Sequence, residues 1–126
     1  MNLGDQMLIE CKNDKEKVAM GLLSYLPDFK NLANLKDEIA LNKNSSEFQL
    51  YLYRGDDANF VGVIGTQNNA AFVIIRYLSF APDYRSHKYE AAAIRELAAS
   101  NPKKKITALP EYTYLLKYLT ENNNNE

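Results

Sequence analysis

The segment Phe72-Val73-Ile74-Ile75-Arg76-Tyr77-Leu78-Ser79-Phe80, closed by Ala81-Pro82, constrains the fold more than any other. Its early half scarcely alternates between apolar and polar residues, so it reads as a strand buried on both faces. Proline ends it, since proline brings no N–H to a ladder. A short polar loop with Arg85 follows, and Lys88 to Ala99 then reads as an amphipathic helix. A helix N-terminus carries unpaired N–H groups and partial positive charge. Strand, loop and helix therefore aim donors at one spot suited to an anion.

The flanking segments supply a scaffold for this unit. Met7 to Cys11 reads as a short strand. Asn13-Asp14-Lys15-Glu16 reads as a helix start, with Asn13 as N-cap and Glu16 in the capping-box place. Val18, Leu22, Tyr25 and Leu26 give one apolar helical face, which Pro27 stops; Leu32, Leu35 and Ile39 mark a second helix. Phe48, Leu50 and Leu52 alternate with Gln49, Tyr51 and Tyr53, so one strand face is apolar. Gly55-Asp56-Asp57 turns the chain, Phe60 to Gly65 returns as a strand, and Gln67-Asn68-Asn69 turns it again. After a break at Asn101-Pro102, Lys105 to Leu109 is a last strand and Tyr112 to Leu119 a short helix. The order β-α-α-β-β-β-α-β-α predicts an α/β (α+β) domain with a mixed sheet, spanning 1–120. Residues 121–126 form an Asn-rich tail expected to be disordered.

Composition narrows the chemistry. The 126 residues carry a formal net charge of -1, so no global field favours nucleic acid, and Lys103-Lys104-Lys105 reads as a solvated connector. The single cysteine, Cys11, excludes an internal disulfide and fits a reducing, cytoplasmic setting. Cys11 ends an apolar run far from the only histidine, His87, so a buried strand position suits it better than a catalytic thiol. No stretch approaches a membrane span, and no metal site is expected.

The element order, together with the Pro-x-x-Arg loop after the third meander strand, resembles the GCN5-related N-acetyltransferases (GNAT) over nearly the whole chain. Glu16-Lys17-Val18-Ala19-Met20-Gly21-Leu22-Leu23-Ser24-Tyr25-Leu26-Pro27 resembles the first helix of RibT-type proteins, small acetyltransferase-like members from riboflavin operons. The resemblance implies a GNAT-like, mostly antiparallel sheet flanked by helices, with the strands that usually follow the last helix missing here. It also implies acetyl-CoA as the acyl donor, held by Leu78, Ser79 and Phe80 along the pantetheine arm. Arg85, Ser86, His87, Lys88, Tyr89 and Glu90 would surround the pyrophosphate.

The loop departs from the family pattern Arg/Gln-x-x-Gly-x-Gly/Ala. Arg85 matches, but Lys88 and Glu90 stand in the glycine places. A non-glycine residue costs about 1–2 kcal/mol where the backbone must turn left-handed. At ~5 Å and an effective dielectric of ~20, the Glu90 charge would repel each phosphate charge by about 3 kcal/mol before screening. Alternatively Ser86 caps the helix, Glu90 complements its positive end, and Arg85 and Lys88 are solvated.

For the chemistry, the resemblance implies that Tyr118 protonates the departing thiolate, from a pattern in which Glu111, Tyr114 and Lys117 occupy the other places. No general base is evident. Arg76 stays protonated, His87 lies on the phosphate side, and Glu47 and Asp56-Asp57 look like connector residues. Two functions follow. One is transfer of an acetyl group to a small-molecule or peptide amine. The other is a catalytically inactive binding or regulatory module on the same fold, such as a riboflavin-operon accessory protein. The less covered last strand and the nine tyrosines are compatible with a homodimer.

Overall fold

A computed structural model describes residues 6–121. Strands β1 (Leu8–Glu10), β2 (Phe48–Arg54), β3 (Phe60–Asn68), β4 (Phe72–Phe80) and β5 (Lys105–Ala108) form one sheet in the order β1-β2-β3-β4-β5. All neighbours are antiparallel except β4 and β5. Helices α1 (Glu16–Leu23) and α2 (Leu32–Asn44) cover one face, where Ala19, Leu23, Leu35 and Ile39 pack on Leu50, Leu52, Val63 and Tyr77. Helix α3 (His87–Ser100) and the short α4 (Lys117–Thr120) cover the other, where Ile94, Leu97 and Leu115 meet Ile64, Val73, Ile75 and Leu78. The mixed sheet with helices on both faces is the architecture expected from the element order. Among the described residues no helix is long and apolar enough to cross a membrane. The 122–126 tail lies outside the described residues.

Several local expectations are corrected. The capping box does not form. Asn13 begins a 3-10 turn (Asn13–Lys15) with no side-chain cap, and Glu16 pairs with Lys43 at 3.4 Å instead. The buried stripe of α1 is Ala19, Leu22 and Leu23; Val18 lies within the helix but off that stripe, and Tyr25 lies past its end at Leu23, so both are exposed. Both faces of β2 are covered, Leu50 and Leu52 by α1 and α2, Tyr51 and Tyr53 on the α3 side. Gln67 and Asn68 belong to β3, and the segment after β5 is mostly 3-10 (Pro110–Leu116) before α4. Glu96 of α3 ties the edge strand down by accepting from the Met7 and Leu8 amides, at 3.3 and 2.5 Å.

One irregularity shapes the functional end of the sheet. Gly65 pairs with Tyr77 but Thr66 pairs with Ile75, so Arg76 is an extra residue in β4. A bulge bends the strand and interrupts side-chain alternation. Consequently Arg76 and Tyr77, though adjacent, both reach Glu38 on α2. Arg76 makes a bidentate pair at 2.5 and 3.1 Å, and the Tyr77 hydroxyl donates at 2.5 Å. The Tyr77 ring lies flat over Gly65, where a Cβ would overlap it. At the same point β4 leaves β5: their pairing ends at Ile75 and Ala108, with the Leu109 amide on the Ile75 carbonyl. β5 ends there and the chain enters the 3-10 segment, so β4 runs on from Arg76 to Phe80 with no strand partner on that side.

Candidate active site

Past Ile75 this edge of β4 has no strand partner. The Ala81 amide bonds the Val61 carbonyl, which makes 61/81 a hydrogen-bonded pair. The antiparallel alternation then turns Tyr77 and Ser79 toward β3 and leaves the N–H and C=O of Leu78 and Phe80 facing the opening. The structure brings Leu78, Ser79, Phe80, Arg85 and Glu90 together on a cleft of about 290 Å³, with Tyr25, Leu26 and Tyr114 opposite. Ser79 contributes little beyond shape, since its hydroxyl donates to the Leu22 carbonyl at 2.8 Å. Arg85 Nε donates to the Phe80 carbonyl at 2.9 Å, and its guanidinium lies 5.2 Å from the Tyr25 ring centre.

The loop avoids the strain that its missing glycines imply. Among the described residues only Ala58 is a non-glycine with positive φ, so no residue from Pro82 to Glu90 is left-handed. A 3-10 turn (Pro82–Tyr84) carries the chain round, and Lys88 and Glu90 sit inside the first turn of α3. Ser86 occupies the N-cap position in extended conformation but makes no cap bond, contrary to the capped alternative. The helix therefore presents uncapped N–H groups beside Arg85. Glu90 lines the cleft in the first turn of α3, and its carboxylate accepts from the Tyr118 hydroxyl at 2.8 Å. His87 stacks edge-on against Tyr118, with centroids 6.0 Å apart. Lys88 covers the Tyr89 ring, and the Tyr89 hydroxyl points away to Asp56 at 3.4 Å.

Tyr118 itself is 2% exposed and is not part of the cleft wall. Burial first, then the Glu90 bond, pushes its phenol well above the ordinary tyrosine value. A second cavity of about 300 Å³ adjoins the cleft through Leu26, and Tyr77, Arg76, Asp28, Glu111 and Tyr112 line it. Tyr112 packs against the core clusters of both sheet faces, which places it at the seam where β4 and β5 part. Burial, then Glu111 and Asp28, raise its phenol, while the facing Leu78 backbone opposes them.

Glu38, also unforeseen, is not a base. Burial resists its ionisation, but the bonds from Arg76, Tyr77 and Asn42 outweigh this and hold its carboxyl below the usual range. Cys11 lies away from both cavities, and burial followed by Glu16 and Asp14 pushes its thiol up to about 11. Neither Glu47 nor Asp56 and Asp57 borders the two cavities.

A curated protein from Bacillus methanolicus, an uncharacterized N-acetyltransferase in the lysA 3′ region, is 31% identical over 101 residues, covering 79% of this chain and 83% of that protein. The chain belongs to the GCN5-related N-acetyltransferase superfamily. The solved structures agree with this placement in fold. A probable acetyltransferase superposes with a TM-score of 0.69 at 9% identity, covering 93% of this chain and 90% of its own. An aminoglycoside N-acetyltransferase in complex with CoA gives a TM-score of 0.64 at 12% identity, covering 90% and 83%. No family model matches the sequence.

The superfamily's acyl donor can be tested against these residues. Arg85 holds the Phe80 carbonyl and Tyr112 meets the Leu78 backbone; the outward-facing groups of Leu78 and Phe80 that have no strand partner are of the kind the amides of a pantetheine arm pair with. The uncapped α3 N-terminus with Arg85 and Lys88 suits a diphosphate. Among the described residues, three of the six exposed large hydrophobics, Tyr25, Leu109 and Tyr114, border the two cavities, which is the mark of a ligand groove.

Proposed function

We propose that this protein is an acetyl-CoA-dependent N-acetyltransferase acting on an amine. The open β4 edge at Leu78 and Phe80, beside the uncapped N-terminus of α3, carries this reading. Leu78, Ser79 and Phe80 hold the extended arm of the donor. Arg85, Ser86, His87, Lys88, Tyr89 and Glu90 surround its diphosphate. The donor supplies a thioester carbonyl as the electrophile and a thiol as the leaving group. The amine attacks through its lone pair, the C–S bond breaks, one amine proton leaves to solvent and the departing sulfur takes up a proton. The family motif favours Tyr118 as the source of that proton. Position favours Tyr112, which lines the second cavity and packs against the cores of both sheet faces, whereas the Tyr118 proton is engaged by Glu90.

Calorimetry with acetyl-CoA tests the reading: one saturable site per chain is expected, and Glu90→Gln, which removes a charge beside the diphosphate, should tighten it about three- to tenfold. Gln is preferred to Gly because it can still accept from Tyr118. A second reading, the inactive module, draws on one observation: Arg85 already satisfies the Phe80 carbonyl that a donor would approach. Absence of saturable binding, with Arg85→Ala unable to restore it, would establish that reading. The open outer edge of β5 supports pairing of two chains, so sedimentation equilibrium should give twice the 14.4 kDa chain mass; a single-chain mass would remove the dimer.

A further inference from the structure

The side chain of Arg85 stands in the groove that the arm of the donor would enter. The Phe80 carbonyl faces away from β3, and Arg85 Nε donates to it from the groove side at 2.9 Å. The same guanidinium lies 5.2 Å from the centre of the Tyr25 ring, which comes from the segment after α1. One side chain thus joins the loop before α3, the edge of β4 and the opposite wall of the cleft. Neither contact fixes it in place. Arg85 belongs to no ion pair among the described residues, and the residue is exposed, so no carboxylate and no packing lock it. Arg76 is the contrast: Glu38 grips it with two bonds in a largely buried setting. A guanidinium held only by a neutral carbonyl and a ring gives both up readily for paired bonds to phosphate oxygens.

An arm laid along β4 needs the strip that Arg85 occupies, whereas a diphosphate at the N-terminus of α3 attracts the guanidinium away from it. We propose that Arg85 is a specificity-determining residue: it closes the arm groove until a diphosphate draws it off, so that whole CoA thioesters enter and truncated thioesters bearing the same arm do not. A ligand without the diphosphate binds only the fraction of molecules whose groove is open, and its apparent affinity falls by that fraction. This rests on the donor-groove reading above. The role is more than a phosphate contact. A phosphate contact adds affinity for the whole donor, whereas Arg85 also withholds affinity from the arm alone.

The test compares acetyl-CoA with S-acetylpantetheine, which keeps the arm and the thioester but has no diphosphate, by calorimetry on the full chain. Arg85→Ala is expected to bind acetyl-CoA about tenfold or more weakly than the parent, and S-acetylpantetheine about five- to tenfold more tightly. Tyr25→Leu loosens the guanidinium without removing it. It should tighten S-acetylpantetheine about two- to threefold and leave acetyl-CoA bound no less well. Nuclear magnetic resonance reads the contact with no donor present: the Arg85 Nε–H of the free parent should exchange with solvent about tenfold more slowly than an arginine Nε–H of the unfolded chain. If Arg85→Ala, with its melting temperature held, weakens acetyl-CoA but leaves S-acetylpantetheine unchanged or weaker, the proposal is overturned and Arg85 is a phosphate contact alone. An Arg85 Nε–H that exchanges freely in the unliganded parent overturns it whatever the donors do. Failure of both the parent and Arg85→Ala to bind acetyl-CoA overturns the donor reading, and this inference with it.

Discussion

Glu38→Ala is expected to lower the melting temperature by about 10–20 °C and to weaken acetyl-CoA binding in molecules that remain folded. Glu38 is buried on α2, its side chain 7% exposed against 18% for Arg76. Removing one partner of a buried pair strands the other, at a cost of about 3–5 kcal/mol, and each kcal/mol moves the midpoint by about 3–5 °C in a domain of this size. The binding effect has a separate origin. Arg76 and Tyr77 lie on one side of β4 only because the strand bulges there, and Glu38 holds both. Without it the bulge loses its clamp, and the angle at which β4 leaves β5 is no longer set. Calorimetry well below the transition separates this from unfolding. Glu38→Gln, which still accepts from Tyr77, should lose less stability. Acid titration adds a check of sign: a folded carboxyl below its unfolded value contributes fully above that unfolded value, about 4.3, and loses its contribution as pH falls through the folded value. The acid limb of the stability curve should therefore be shallower in both variants. A Glu38→Ala chain melting within about 3 °C of the parent would mean that Arg76 turns to solvent without loss.

The parts of this fold written in local pattern were legible. The long apolar run bounded by Ala71 and Ala81 is β4 residue for residue, but its early half is buried on one face only: Val73 and Ile75 are buried while Phe72 is exposed and Ile74 and Arg76 are half-buried, so full burial of both sides begins only at Tyr77. The α1 face was misjudged because Tyr25 and Leu26 keep helical spacing beyond the last helical residue. What opens the site was not legible, since a bulge is a property of the β3–β4 register rather than of β4 alone. The one available sign was Glu38 itself: Leu35, Glu38 and Ile39 share a helical face, and a carboxylate on that face needs a cation. Arg76, read only as a residue too basic to remove a proton, is that cation. Asp28 and Glu111 line one cavity from distant segments with no common motif, so only the fold shows that they share it. Tyr118 drew attention through its place in the family motif, whereas Tyr112 is one of nine tyrosines, distinguished by its place at the seam.

Tyr112→Phe is therefore expected to reduce kcat about 100-fold or more with acetyl-CoA affinity unchanged within about twofold. Burial and two neighbouring carboxylates keep this phenol protonated across the working range, so it can donate a hydrogen bond to a sulfur gaining negative charge. A donor that strengthens its bond only as the C–S bond breaks acts on kcat, and its loss should leave ground-state binding nearly intact. Tyr118→Phe should behave differently. Its hydroxyl is committed to Glu90, so removing it leaves that carboxylate short of a donor, and the change should appear mainly as about 1 kcal/mol of stability and weaker acetyl-CoA binding from a freed negative charge. The alkaline limb of the kcat profile supplies an independent reading. It should lie above 10 in the parent and vanish in Tyr112→Phe, because phenol ionisation then no longer silences the donor. If Tyr118→Phe takes the hundredfold loss and Tyr112→Phe does not, the proton comes from α4. Glu90 must then release the Tyr118 hydroxyl during each turnover, and Glu90→Gln would raise kcat as well as affinity.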